Sequence, residues 1–316
     1  MSSALLPVKP NPEVVIESAR IGGMKAIFCE KPMAARLSDA DAMVDECRSR
    51  GIHFSAGDAY RNFEQVWQAR AMMRPPAGQD ASHTPQPFDL GEVRSIHLYQ
   101  ATDEISGGGC QGLSVTRMFA WDSDVDWLTG WVRDDPYSNY DQGMGGLIRF
   151  RNGIEAYVDY YSSSKKGIEV ICTKGFFFTD WYTFRVWKSK TGKETNRFDE
   201  LEEAPGYFAP GIAAERKRDS QGRMIPGKRQ MDDIQSIVDA IEKGIELRCS
   251  GGNMRKVLEI TLAMRESARR NQAPVRVPLE DRSLAIYPHV SRWLNKKEVF
   301  GAEKYAQEIG RFDKEG

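Results

Sequence analysis

Glu30, Lys31 and Pro32 follow a short apolar run, Ala26 to Cys29. A lysine at the end of a buried strand is the residue in this chain best suited to chemistry. A surface lysine closing the strand end is the plainer alternative. Tyr60 and Arg61 follow the next apolar run, IHFSAG, and a parallel sheet presents its ligands at this carboxyl edge. Asp141 and Gln142 precede the turn GMGG, and His289 and Arg292 lie in an aromatic tail. For each of these residues a structural role is at least as well supported as contact with a substrate. Metal chemistry has little support. The five cysteines (Cys29, Cys47, Cys110, Cys172, Cys249) are scattered, and none of the four histidines pairs at ligand spacing.

Alternating strands and helices must position Lys31. Pro12 opens a helical stretch, EVVIESARI, that Gly22 and Gly23 close. Ser38 suits the N-cap of a helix over DADAMVDECRSR, with Gly51 beyond its end. Together with the short run SALL this gives strand–helix–strand–helix–strand, the pattern of a parallel sheet wrapped by helices. A further helix is predicted from about Tyr60 to Met73, then a surface loop from Arg74 to Leu90. From Gly91 onward, seven β-rich segments follow one another with a single helix near Leu113 to Trp121, which predicts an antiparallel sheet. Thr191 to Gly227 reads as a long loop. Apolar spacing predicts two more helices, Gln230 to Ile245 and Asn253 to Arg270.

Composition bounds the function. Hydrophobic residues make up 41% and charged residues 28% of 316, the balance of a soluble globular protein with room for two domains. A net charge of −1 gives no reason to expect nucleic acid or an anionic membrane as partner. No apolar run approaches the ~20 residues that span a bilayer. The odd, unpaired cysteines favour a reducing compartment, and the expectation is a cytoplasmic protein.

The sequence AIFCEKPMA, ending a buried strand and followed by a capped helix, resembles the Glu-Lys-Pro motif of the Gfo/Idh/MocA oxidoreductases. The segment DADAMVDECRSRGIHFSAG, the β-rich remainder and the late GNMRKVLEITLAMRESARRNQAPVRVPL are similar to the same family, so the resemblance covers nearly the whole chain. It implies an α/β plus α+β protein. Residues 1–58 would form a partial Rossmann-like parallel sheet, and 59–316 a larger, mainly antiparallel open-sheet substrate domain. The helix near 253–270 and the tail would pack back on the first part. It further implies hydride transfer between NAD or NADP and a sugar or polyol, with catalysis by Lys31, whose ammonium would orient the reacting hydroxyl and stabilise developing negative charge, or transfer a proton if burial lowers its pKa. Glu30, Lys31, Pro32 and Asn11 would then lie at the cofactor, Asn11 standing where the family often has a histidine; a turn residue before Pro12 is the alternative.

Two departures accompany the resemblance. A Gly-rich turn after a strand lets backbone approach a pyrophosphate at a helix N-terminus. No GxGxxG follows a strand in these 316 residues, and the run Gly107 to Gly109 lies in the wrong place for one. By alignment SALLP is the family's fourth strand, and the expectation is that the sequence lacks the N-terminal part of the nucleotide-binding domain. On the substrate side, Gln111 stands where the family has a histidine, and Gly107 where it has an aspartate. Gln111 can hydrogen-bond a sugar hydroxyl but cannot carry a proton. Asp103 and Glu104, just upstream, are the acids that could substitute, or they are simply solvated. The bare edge of SALL calls for cover by another copy or by the tail from Ala273. Aromatic residues Phe176 to Phe178, Trp181, Tyr182 and Trp187 predict a sheet face that packs in a homodimer or homotetramer. An alternative function is a reduced relative without normal NAD(P) binding, either doing non-redox acid/base chemistry on a carbohydrate or serving as a non-catalytic subunit.

Overall fold

In a computed structural model the described residues are 2–4, 8–76, 84–99, 104, 109–159, 165–205, 208, 221 and 228–287. Two sheets organise them. The first is parallel: β1 (Ser2–Ala4), β2 (Ala26–Cys29) and β3 (His53–Ala56) lie in that order. It is joined through α1 (Asn11–Ile21) and α2 (Leu37–Ser49), and α3 (Glu64–Ala71) follows β3. Ala26, Ile27, Cys29, Phe54 and Ala56 are buried, as strands covered by helices require.

The second sheet has nine strands: β4 (Val93–Tyr99), β5 (Val125–Val132), β6 (Met144–Phe150), β7 (Glu155–Asp159), β8 (Gly167–Cys172), β9 (Gly175–Thr179), β10 (Phe184–Ser189), β11 (Leu201–Glu203) and β12 (Val275–Arg276). Their order is β11-β10-β9-β8-β4-β7-β6-β5-β12. The expected antiparallel pairing holds except between β4 and β7, which run parallel. The cause is α4 (Cys110–Phe119), which carries the chain from β4 to the far strand β5 and lets β6 and β7 meander back. Every residue of α4 is buried. α6 (Gly251–Arg269) lies across β5, so close that a Cβ on Gly130 would sit 2.6 Å from the Cα of Met264. α5 (Lys228–Lys243) precedes it. None of the described helices is long and apolar enough to cross a membrane.

Several local expectations need correction. The helix expected from Tyr60 begins only at Glu64, because the Asp58 carboxylate accepts from the N–H groups of Tyr60 and Arg61 and holds a turn there. Ser38 is not the cap of α2. The helix starts at Leu37, and the N–H groups of Leu37 and Ser38 donate to the carbonyls of Leu284 and Arg282. Inside the expected loop from Thr191, Phe198–Glu200 form a 3₁₀ turn and β11 pairs with β10. The aromatic residues do not share one face. Phe177 is buried between the half-buried Phe176 and Phe178, as the two-residue period of a strand dictates, Trp187 is half-buried, and in the turn between β9 and β10 Trp181 is buried and Tyr182 exposed.

The segment after α6 ties the layers together. β12 pairs with β5, Ala285 bridges Arg36, and Tyr287 bridges Tyr140. Arg282 and Arg255 both pair with Asp41 at 2.7 Å, and both also pair with the buried Glu259. The described part of the tail therefore follows α2 and β5 and does not cover the β1 edge.

Candidate active site

β2 ends at Cys29, and Glu30, Lys31 and Pro32 leave its carboxyl end with a cis Lys31–Pro32 bond. Beside it, β3 leads into Gly57, whose N–H donates to the Cys29 carbonyl at 2.8 Å. A side chain at Gly57 would place its Cβ 2.8 Å from Oε2 of Glu30, so the missing Cβ leaves room for that carboxylate. From α1, the buried Asn11 donates through Nδ2 to the Pro32 carbonyl at 3.3 Å and lies 3.5 Å from that of Glu30. Its Oδ1 is sealed and without a partner. Asn11 is thus more than a turn residue: it pins the Glu-Lys-Pro loop. Lys31 is half-buried, and among the described residues it makes no hydrogen bond or ion pair.

The loop after β3 supplies the second wall. The fully buried Asp58 carboxyl is pushed up to about 6 by burial, against the hydrogen bond of Ser114 and the Tyr60 and Arg61 N–H groups. Oε1 of Gln111, in the first turn of α4, accepts from the Ala59 N–H at 3.0 Å, which brings Gln111 beside this loop. The Tyr60 ring stacks on Trp181 with centroids 4.3 Å apart. Trp181 holds a φ of +72°, a left-handed conformation that costs a bulky residue roughly 1 kcal/mol or more.

The structure therefore brings Glu30, Lys31, Pro32, Asn11, Gln111 and Tyr60 to the carboxyl edge of β2 and β3. Arg61 turns away from this group. Its guanidinium grips Asp122 at 2.6 and 2.9 Å and donates to the carbonyls of Ser114 and Arg248. Glu104 accepts through its carbonyl from the Gly109 N–H that starts α4. Asp141 and Gln142 hold the turn between β5 and β6, accepting from the N–H groups of Gly143 and Asp135. Asp103, His289 and Arg292 lie outside the described residues.

Sequence reasoning missed the polar cluster behind this edge. Arg117 donates to Asn253, Ser123 and Asp122, and Asn253 donates to Ser114. Burial pulls the Arg117 guanidinium down to about 10. A cleft of about 410 Å³ opens there, and much of its charge is paired across its own lining: Arg48 with Asp45, Arg61 with Asp122, Arg255 with Asp41. The available signal was Asp122, since aspartate is among the few residues that accept the left-handed φ of +53° found there.

No family model matches the chain. A stretch of 67 residues is 36% identical to an uncharacterized oxidoreductase of Streptococcus pneumoniae serotype 4, covering 21% of this chain and only 18% of that relative's length. Among solved structures the fold is similar to an inositol dehydrogenase homologue complexed with NAD+ from Azotobacter vinelandii. That match has a TM-score of 0.63 at 15% identity and covers 87% of this chain and 78% of the other. It is also similar to an aldose-aldose oxidoreductase from Caulobacter crescentus complexed with glycerol, with a TM-score of 0.59 at 17% identity over 87% and 78% of the two chains. The chain thus has the fold of these oxidoreductases: a small parallel sheet wrapped by helices, beside a large, mostly antiparallel sheet.

Proposed function

We propose that this chain is an oxidoreductase of Gfo/Idh/MocA type that exchanges a hydride between NAD(P) and a sugar or polyol. The observation that carries this reading is Lys31, half-buried and uncommitted at the carboxyl edge of a parallel sheet, with Gln111 bonded to Ala59 in the loop that leaves the adjoining strand. The similar folds of an inositol dehydrogenase homologue and an aldose-aldose oxidoreductase support it.

The residues at this edge suit the reactive end of such a cofactor. Asn11 presets the Glu-Lys-Pro loop, and Gly57 leaves room for the Glu30 carboxylate. The pyrophosphate end is another matter, because none of the three βα turns is glycine-rich. When bound, the nicotinamide supplies the hydride acceptor or donor. Lys31 donates a hydrogen bond to the reacting hydroxyl, and its charge favours the alkoxide character that develops as the C–H bond weakens. With Oε1 held by Ala59, Gln111 is left with Nε2 as a donor toward a sugar oxygen. Tyr60, braced by Trp181, offers an apolar wall for the ring. The half-buried Phe176, Phe178 and Trp187 are where a second copy would pack in a homodimer or homotetramer.

The test is turnover of myo-inositol and D-glucose with saturating NAD+ or NADP+. The expected result is formation of reduced cofactor that Lys31→Ala abolishes without loss of folded signal. Undiminished turnover in Lys31→Ala would remove the lysine from the mechanism. With no glycine-rich turn here, NADH should bind this chain with a dissociation constant of about 1 mM or weaker. A non-redox or non-catalytic role is favoured by Gln111, which cannot titrate, and it predicts sugar binding with no reduced cofactor formed.

A further inference from the structure

Arg265 is buried, 2% exposed, on α6. Its Nε and Nη1 are sealed from solvent and have no hydrogen-bond partner. The nearest carboxylate, Glu266, lies 3.9 Å from Nε and belongs to Arg269, which it meets at 2.9 Å. Asp141 is felt only across space, and its Oδ1 is already engaged by the Gly143 N–H. Two guanidinium groups therefore share one carboxylate at this end of the helix. A buried cation left this way is unfavourable, since desolvation is not offset by any hydrogen bond.

The position is informative. Met254, Val257, Leu258 and Thr261 form the stripe of α6 that meets Pro32, Met33 and Cys110 across a void of about 10 Å³. Residues four apart on a helix share a face, so Arg265 continues that stripe by one turn beyond Thr261. The stripe touches both the loop that presents Lys31 and the first turn of α4, which presents Gln111. Arg265 also lies near the Asp141 turn, whose N–H donates to Tyr287, and the next residue back, Ile286, donates to Ala35 just after the Glu-Lys-Pro loop.

We propose that Arg265 recognises an oxyanion on the substrate, so that this site takes an acidic sugar, a sugar carboxylate or a sugar phosphate, in preference to a neutral one. This rests on the reading of the Lys31 edge as a sugar site. The planar guanidinium fork matches both groups in a bidentate pair. Away from bulk water such a pair is stronger than at the surface. The anion supplies the missing partner, so the charge that is unfavourable in the free protein becomes the determinant of specificity.

The experiment is calorimetric binding of D-glucuronate, D-glucose 6-phosphate and D-glucose to the full chain, compared with Arg265→Met and Arg265→Lys. At least one acid is expected to bind tenfold or more tighter than glucose, and which of the two does so separates carboxylate from phosphate. Arg265→Met should bring that acid to the level of glucose while glucose itself is unchanged, and Arg265→Lys should keep part of the preference. Acids and glucose binding alike, or an acid preference that survives Arg265→Met, would overturn the proposal yet leave the sugar site standing. No binding by any of the three would remove both. A melting temperature of free Arg265→Met below that of the parent would also overturn it, by showing that Arg265 supports the fold.

Discussion

Arg61 and Arg265 are equally hidden, at 5% and 2% exposure, yet their surroundings differ completely. Arg61 meets a carboxylate on two nitrogens and two backbone carbonyls, whereas Arg265 has no hydrogen bond for its sealed nitrogens. A buried charge with full partners holds structure together. One without them is kept in spite of its cost, and so points to something that arrives later. The Arg61 region and the Arg265 region thus separate scaffold from function, although both sit along α4 and α6.

Substitutions can break or sharpen this contrast. Asp122→Ala strands Arg61 in the interior and should cost about 3 to 5 kcal/mol, read as a fall in the denaturant midpoint. A pH series on Asp58→Asn gives the next effect. Asp58 titrates near 6 in the folded chain against the ordinary 3.8. The unfolded chain therefore loses the proton first, and stability falls as pH rises from about 4 to 6, by on the order of 2 to 3 kcal/mol. Asparagine should remove that slope. Asp122 acts in the opposite sense: burial raises it, but the charge and hydrogen bonds of Arg61 more than offset this and hold it low. Its contribution is present above the ordinary carboxylate range and is lost on acidification. Arg265→Met, with no ligand present, should stabilise the chain by about 1 to 2 kcal/mol, which is the inverse of Asp122→Ala. Asp199→Asn, which breaks the exposed pair with Arg197, should leave the midpoint unchanged and so mark the level at which a charge does not matter.

The regular parts of the molecule were legible because each follows a short-range rule. Apolar runs bounded by glycine and proline gave β2, β3 and the strands from β4 to β10, and 3.6-residue spacing gave α5 and α6. The Glu-Lys-Pro loop stood out because its residue types are unusual at a strand end. What escaped depends on contacts between distant residues. Nothing near Leu37 says that its N–H will meet Leu284, so Ser38 looked like the cap. Asp58 looks like a turn residue until its burial is seen, and Arg265 looks like any helix arginine until its neighbours are counted. Arg61, in turn, sits where a ligand residue belongs, and only Asp122, sixty-one positions away, shows why it serves the scaffold.

The segment from Val275 to Tyr287 has a mechanical consequence. It is bonded to β5, to the start of α2 and to Tyr140, and it is riveted by Arg282 to Asp41 and Glu259. Swinging the parallel layer away from the nine-stranded sheet would have to break this segment's bonds either to α2 or to β5, Tyr140 and Glu259. The two layers are consequently braced like a welded joint, which opposes a jaw-like opening between them.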